Sequence, residues 1–341
     1  MNAFLNLPAK ERHSAYTQVE DAMKLQSFSV EKDLWVCWTL RELFAAPGIG
    51  EHLTFKGGTS LSKAWKLIER FSEDIDLIVD KDALGFAGDA APDKAPSNKQ
   101  RRARLEALMV AARQWVQGTL QPVLATRIAT ALGEAGWKLE IDPEMPDGQC
   151  LLFHYPSVFP AGSSGYVRPV VKIELGARSD DWPHEEKSIQ PYVLEHFPAF
   201  DPDGAFPVRV LAVERTFWEK ACLLHEETFR PAEKPRKLRM ARHYYDLWCL
   251  LRAGVGDRAL ANTALFQRVA EHRGIFFRYS WVDYSTHKPG TFRLAPPADH
   301  LAGWRGDYQD MLGPMFFGNP PTFEQMMTAA RKFEKAFNAT A

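Results

Sequence analysis

From Gly57 to Val79 the chain runs Gly-Gly-Thr-Ser-Leu-Ser-Lys, later Phe71-Ser72-Glu73-Asp74-Ile75-Asp76, and then Leu77-Ile78-Val79. No other stretch restricts the local fold as tightly. Paired glycines let backbone N–H groups approach an anion closely at the head of a helix. Asp74 and Asp76 flank one apolar residue, so on a strand both carboxylates share a face. The order predicts strand (53–55), glycine turn, helix (59–70) and strand (74–79). In that frame Lys56, Gly57, Gly58, Thr59 and Ser60 are candidate nucleotide contacts, with Thr59 or Ser60 offering a hydroxyl to phosphate. Asp74 and Asp76 are candidate ligands of a divalent cation that bridges the phosphates. A glycine pair or an Asp-x-Asp alone is common in turns and strand edges; the combination in this order carries the signal.

The remaining chain sets the scale. It has 341 residues, 45% hydrophobic and 25% charged, enough for one large domain or two ordinary ones. With 42 basic and 43 acidic side chains, bulk charge makes no case for a nucleic-acid partner, so any such contact rests on local patches. Cys37, Cys150, Cys222 and Cys249 lack paired spacing and read as buried free thiols. No basic segment followed by a long apolar core opens the chain, and no run reaches bilayer length. A cytoplasmic protein without membrane contact is expected.

Residues 9–45 read as helical, with Trp35, Trp38, Leu40, Leu43 and Phe44 on a broad apolar face. Residues 81–100, rich in Gly and Pro, read as a mobile loop, and a long helix follows to about 133, strained near Pro122. Strands are expected at 137–141, 150–155, 169–175 and 208–213. Helices are expected at 214–227, 238–252, 259–272 and 322–337. The change of character places a mixed α/β domain at 1–210 and a mostly helical one at 211–341.

Three further blocks bear on chemistry. Lys172 and Glu174 share one face of an otherwise apolar strand; this is either a solvated face or the third acidic group a two-metal site needs. Lys220, in Arg-Thr-Phe-Trp-Glu-Lys, is either an exposed helix lysine or a cation near a triphosphate. Arg242 and Asp246 lie four apart and can pair, and His243 reads as a hydrogen-bonded packing residue.

Taken in order, these blocks resemble the AbiEii/AbiGii family of nucleotidyltransferase toxins. The resemblance spans about 28–335 and includes Glu31-Lys32-Asp33 and Met315-Phe316-Phe317-Gly318 with Phe323. It implies an α+β fold: a polymerase-β-like mixed sheet flanked by helices, then a helical domain completing the active-site cleft. It also implies catalysis by Asp74, Lys220 and Asp246, supported by Asp76 and Lys172, with Lys172 toward the nucleotide. Asp74, Asp76 and Glu174 would hold Mg²⁺ (or Mn²⁺), an NTP would be the substrate, and a separate antitoxin the partner.

The expected reaction is transfer of NMP to an RNA 3′ hydroxyl, with tRNA as the acceptor. Lys99, Arg101, Arg102 and Arg104, or Lys234, Arg236, Lys237 and Arg239, would guide the backbone, unless they are plain solvated surface. The alternatives are a protein acceptor or a non-catalytic nucleotide binder regulated by the antitoxin. Ser72, two residues before Asp74, is either a turn serine or a phosphorylation point that would load charge beside the carboxylates.

Overall fold

The computed structural model describes residues 1–160 and 168–340. The chain divides into two compact units. One holds Met1–Ala64 and Phe71–Leu211; the other holds Trp65–Arg70 and the chain from Ala212 onward.

The first unit is built on a mixed sheet of seven strands: β1 (Leu53–Lys56), β2 (Ile75–Val79), β3 (Lys138–Ile141), β4 (Cys150–His154), β5 (Val170–Gly176), β6 (His184–Ile189) and β7 (Phe206–Leu211). Their order is β3-β4-β5-β2-β1-β7-β6. β2 runs parallel to β5 and antiparallel to β1, which places the Asp74/Asp76 strand in the middle of the sheet. Alternation sets the faces: Val171, Ile173 and Leu175 of β5 are buried, whereas Lys172 and Glu174 retain solvent access. The mixed α+β architecture expected from the sequence is present.

The helix Ser27–Phe44 covers the apolar face. Trp35 and Trp38 are fully buried, each with its ring 5.9 Å from Phe153 of β4, and Trp35 stacks on Tyr155 at 5.3 Å. It is separated from Ala9–Met23 by a break at Lys24, whose φ of 58° is left-handed, so the helical stretch 9–45 is made of two helices. Asn98–Trp115 and Gln121–Leu132 are joined by a π-helical turn, Val116–Leu120. Pro122 lacks the N–H a regular turn would use there, and the widened turn precedes it. Residues 81–100, expected as a loop, contain two short 3-10 turns, Gly88–Ala90 and Pro92–Lys94. Ala91 and Ala95 are buried, and Arg104 donates to the carbonyls of Asp89 and Ala91.

In the second unit, Val213–Glu227, Arg242–Arg252, Val255–Ala261, Thr263–Phe276, Leu301–Met315 and Phe323–Asn338 are helical. An aromatic core joins them: Phe217 to Phe333 at 4.9 Å, and Trp218 to Phe266 at 4.7 Å. The third of the expected helices splits at Asn262, whose side chain caps the next one by accepting from Leu265 N. The second begins at Arg242 rather than 238, because Arg239 is left-handed and the Asp307 carboxylate accepts from the N–H groups of Arg239 and Ala241.

Candidate functional site

The glycine turn is shorter and tighter than the sequence suggests. Its helix is Gly57–Lys63, not 59–70. Beyond it Lys66 is left-handed, and residues 65–70 belong with the second unit, where Arg70 bridges to Phe316 and Glu69 O accepts from Phe317 N. Gly57 has φ +80°, and a Cβ there would lie 2.0 Å from Asp76 Oδ2. Only glycine permits both that conformation and that approach of backbone to carboxylate.

Strand register gathers the polar side chains of the first unit. Lys56 of β1 is opposite Asp76 of β2, and Asp76 is opposite Glu174 of β5. Lys172 lies two residues before Glu174, so these four share a face, and Asp74, immediately before β2, feels the charges of Asp76 and Glu174. Lys172 Nζ sits 2.9 Å from Glu174 and 3.7 Å from Asp142, while Lys56 Nζ donates to Ser179 Oγ at 3.0 Å.

The Thr59 hydroxyl is buried and donates to the backbone carbonyl of Asp74 at 2.5 Å, with Ser72 Oγ 2.8 Å away. Ser60 Oγ donates to Gly57 O. The two hydroxyls of which one was expected to face a phosphate are thus bonded to backbone carbonyls, Thr59 to Asp74 and Ser60 to Gly57.

Asp74 has its carboxyl pKa pushed up to about 7. Burial is the first cause, followed by the negative charges of Asp76, Glu73 and Glu174, with Lys32 opposing. The side chain keeps solvent access, so the three like charges are the firmer cause. Among the described residues, no three His, Cys, Asp or Glu side chains converge as a ready metal cage.

Behind this face stands a group the sequence reading noted only as a neighbourhood. Glu31, Lys32 and Asp33 are all buried, and each holds a different segment. Glu31 accepts from Val158 N and Ser157 Oγ, Lys32 pairs with Glu73 at 2.7 Å, and Asp33 pairs with Lys63 and accepts from Tyr192 N. Three consecutive charges inside an apolar helix were the available signal, because such residues are buried only when partnered.

The second unit carries Lys220 and Asp246, and Arg70 joins them. Asp246 is fully buried; Arg70 binds both its oxygens, at 2.7 and 2.8 Å, and Lys220 Nζ lies 2.8 Å from Oδ2. Burial alone would raise the Asp246 pKa, but Arg70 and then Lys220 override it and hold the carboxyl well below its ordinary range. Lys220 is shifted down, first by burial, with Arg70 adding to it against Asp246. It is therefore not the exposed helix lysine that was the plainer expectation. His243 is held neutral by burial and the neighbouring cations, and its buried Nδ1 has no hydrogen-bond partner among the described residues, contrary to the bonded role expected.

A family model described as nucleotidyl transferase AbiEii toxin, type IV toxin–antitoxin system, matches residues 38–339. The chain belongs to this family. It is therefore a nucleotidyltransferase toxin, and membership brings an NTP substrate and an antitoxin partner. Similar solved structures include MenT4, a nucleotidyltransferase toxin from Mycobacterium tuberculosis H37Rv. That match has 16% identity and a TM-score of 0.47, covering 96% of this chain and 90% of that one. JHP933 from Helicobacter pylori matches with 14% identity and a TM-score of 0.39, over 91% and 92%. No curated protein matches. Among the described residues, no helix is long and apolar enough to cross a membrane. The four cysteines are free thiols, three of them buried.

Proposed function

We propose that this toxin transfers NMP from an NTP to the 3′ hydroxyl of RNA, with a tRNA 3′ end as acceptor and Mg²⁺ as the metal. The observation that carries the reading is the carboxylate face of β2 and β5. Asp76 and Glu174 are register partners on adjoining strands, and Asp74, immediately before β2, has its carboxyl pushed up to about 7 by burial and by the charges of Asp76, Glu73 and Glu174. That surplus negative charge fits a divalent cation. So does the glycine turn pressed against Asp76, since Mg²⁺ commonly takes one or two carboxylates together with substrate phosphates.

Bound Mg²⁺ supplies charge neutralisation on the triphosphate and lowers the pKa of an attacking hydroxyl. Asp74 and Asp76 are its assigned ligands, with Glu174 tethered to Lys172 beside them. Thr59, through the Asp74 carbonyl, fixes where the first carboxylate stands. The Gly57-Gly58 turn and Lys56 border the triphosphate, and Lys172 contributes positive charge. Lys220 takes the cationic role in transfer, and Asp246 positions it. A lysine already shifted toward neutrality by burial is strengthened as a partner when negative charge develops next to it.

Purified protein incubated with total tRNA, Mg²⁺ and each labelled NTP in turn tests the reading, beside Asp74→Ala. Label should enter tRNA with one or more NTPs in the wild type and not in the variant. Labelling that survives Asp74→Ala, or none with any NTP, overturns it.

A further inference from the structure

We infer that the second unit carries a stacking platform for an unpaired RNA strand, formed by Tyr279 and Trp281 with basic side chains around them. This rests on the reading of RNA as the acceptor. The rings of Tyr279 and Trp281 are stacked, with centroids 4.5 Å apart and planes 18° from parallel. Cations flank Trp281: Lys234 Nζ is 4.8 Å from its ring and the Arg230 guanidinium 5.3 Å. Tyr279 is exposed, as are its neighbour Arg278 and the nearby-in-sequence Lys237.

The charge around this stack is one-sided. Residues 230–239 carry five basic side chains and one acidic. Two of the five are partly spent, since Arg230 and Arg236 pair with the buried Glu227. Lys234 is instead held at an aromatic ring and Lys237 is exposed. The other basic run, 99–104, is differently disposed. Arg102 pairs with Glu106, Arg101 bonds Asn98 and Arg104 bonds backbone carbonyls. No aromatic pair accompanies that run among the described contacts.

Why RNA rather than an acidic protein? Paired, solvent-accessible rings set in positive charge suit a base stacked above a phosphate backbone. Aromatic stacking tolerates any base, and lysines follow the phosphates. An acidic polypeptide would use the lysines but has no need of the exposed Tyr279 face.

The test measures binding of a 5′-labelled unstructured RNA oligonucleotide to full-length protein, without Mg²⁺ or NTP, across a salt series. Tyr279→Leu should weaken binding by about 5- to 150-fold, the range for losing a stacked base, with the salt slope unchanged. Lys237→Glu, at an exposed position, should weaken it and flatten the slope. Tyr279→Phe, which keeps the ring, should bind like wild type. If Tyr279→Leu binds as tightly as wild type while its circular dichroism is unchanged, the platform is refuted. Equal competition by polyglutamate in wild type and Tyr279→Leu refutes it too, because the patch then reads charge alone. Oligonucleotide binding that needs Tyr279, without label transfer to RNA, leaves the platform standing and removes the acceptor reading. Label transfer with Tyr279-independent binding does the reverse.

Discussion

Replacing Asp246 by asparagine removes the one negative charge that faces two buried cations, Arg70 and Lys220. Asp246 is 0% exposed, Arg70 3% and Lys220 7%, so neither cation can turn to water without moving the backbone. At about 4 Å and an effective dielectric near 20, each pairing is worth roughly 4 kcal/mol before desolvation. Desolvation has already been met by folding and is not returned when the carboxylate goes. Leaving a buried charge uncompensated in this way costs about 3–5 kcal/mol. Lys220 limits the loss by releasing its proton, since burial and Arg70 already push its pKa down. The unfolded lysine keeps that proton until about pH 10, so the unfolded state then binds more protons. The stability of Asp246→Asn should therefore rise with pH between 6 and 9 relative to wild type.

Lys220→Met is the matched control. It leaves Arg70 and Asp246 as a neutral pair, so it should be at least as stable as wild type while losing nucleotidyl transfer. Chemical denaturation of the three proteins at pH 6, 7.5 and 9 reads both effects. If Asp246→Asn unfolds within about 1 kcal/mol of wild type at pH 6, the electrostatic account of this cluster is wrong.

Further outcomes follow from the first unit. Gly57→Ala should cost about 1–2 kcal/mol for its left-handed backbone and more for the collision with Asp76, read as a lowered melting temperature with weakened NTP binding. Asp74 should titrate near pH 7 by carboxyl NMR, and Asp76→Asn should lower that midpoint; an Asp74 titrating near 4 in wild type would contradict the like-charge crowding. With a folded pKa above the unfolded one, Asp74 favours folding at low pH and loses that contribution as pH rises from about 4 through 7, so Asp74→Asn should be more stable than wild type at pH 8. Ser72→Asp places charge two residues from Asp74 and removes the hydroxyl bonded to Thr59, so turnover should fall sharply; wild-type rates would discard a regulatory role for Ser72.

Much of this was legible from residue order. The central strands announced themselves by alternation or by apolar runs, as in β5 and β2. Edge strand β6, His-Glu-Glu-Lys-Ser-Ile, did not, because an exposed edge has no apolar face to betray it. The helix Leu301–Met315 was hidden by Gly303, Gly306 and Gly313, residues that weaken a helical pattern yet are tolerated when packing decides. At the candidate site, Asp74, Asp76, Lys220 and Asp246 were named from the chain. Arg70 was not, although it binds both Asp246 oxygens. Its partner lies 176 residues away, and no local periodicity encodes such a pairing. The inward bonds of Thr59 and Ser60 were also out of reach, since a hydroxyl beside a glycine turn reads alike whether it faces a ligand or a carbonyl.

Trp65–Arg70 leaves the first unit and returns before Asp74, and this has a consequence for inheritance and for engineering. A gene severed after codon 211 does not yield two self-sufficient halves. The upstream fragment would carry an orphan arginine, and the downstream fragment a buried aspartate short of its bidentate partner. Recombination between relatives is constrained in the same way: a chimera joined at that seam inherits Arg70 from one parent and Asp246 from the other. Such a chimera keeps the pair only where the first parent supplies the arginine and the second the aspartate, so both positions decide whether a crossover at this seam can fold.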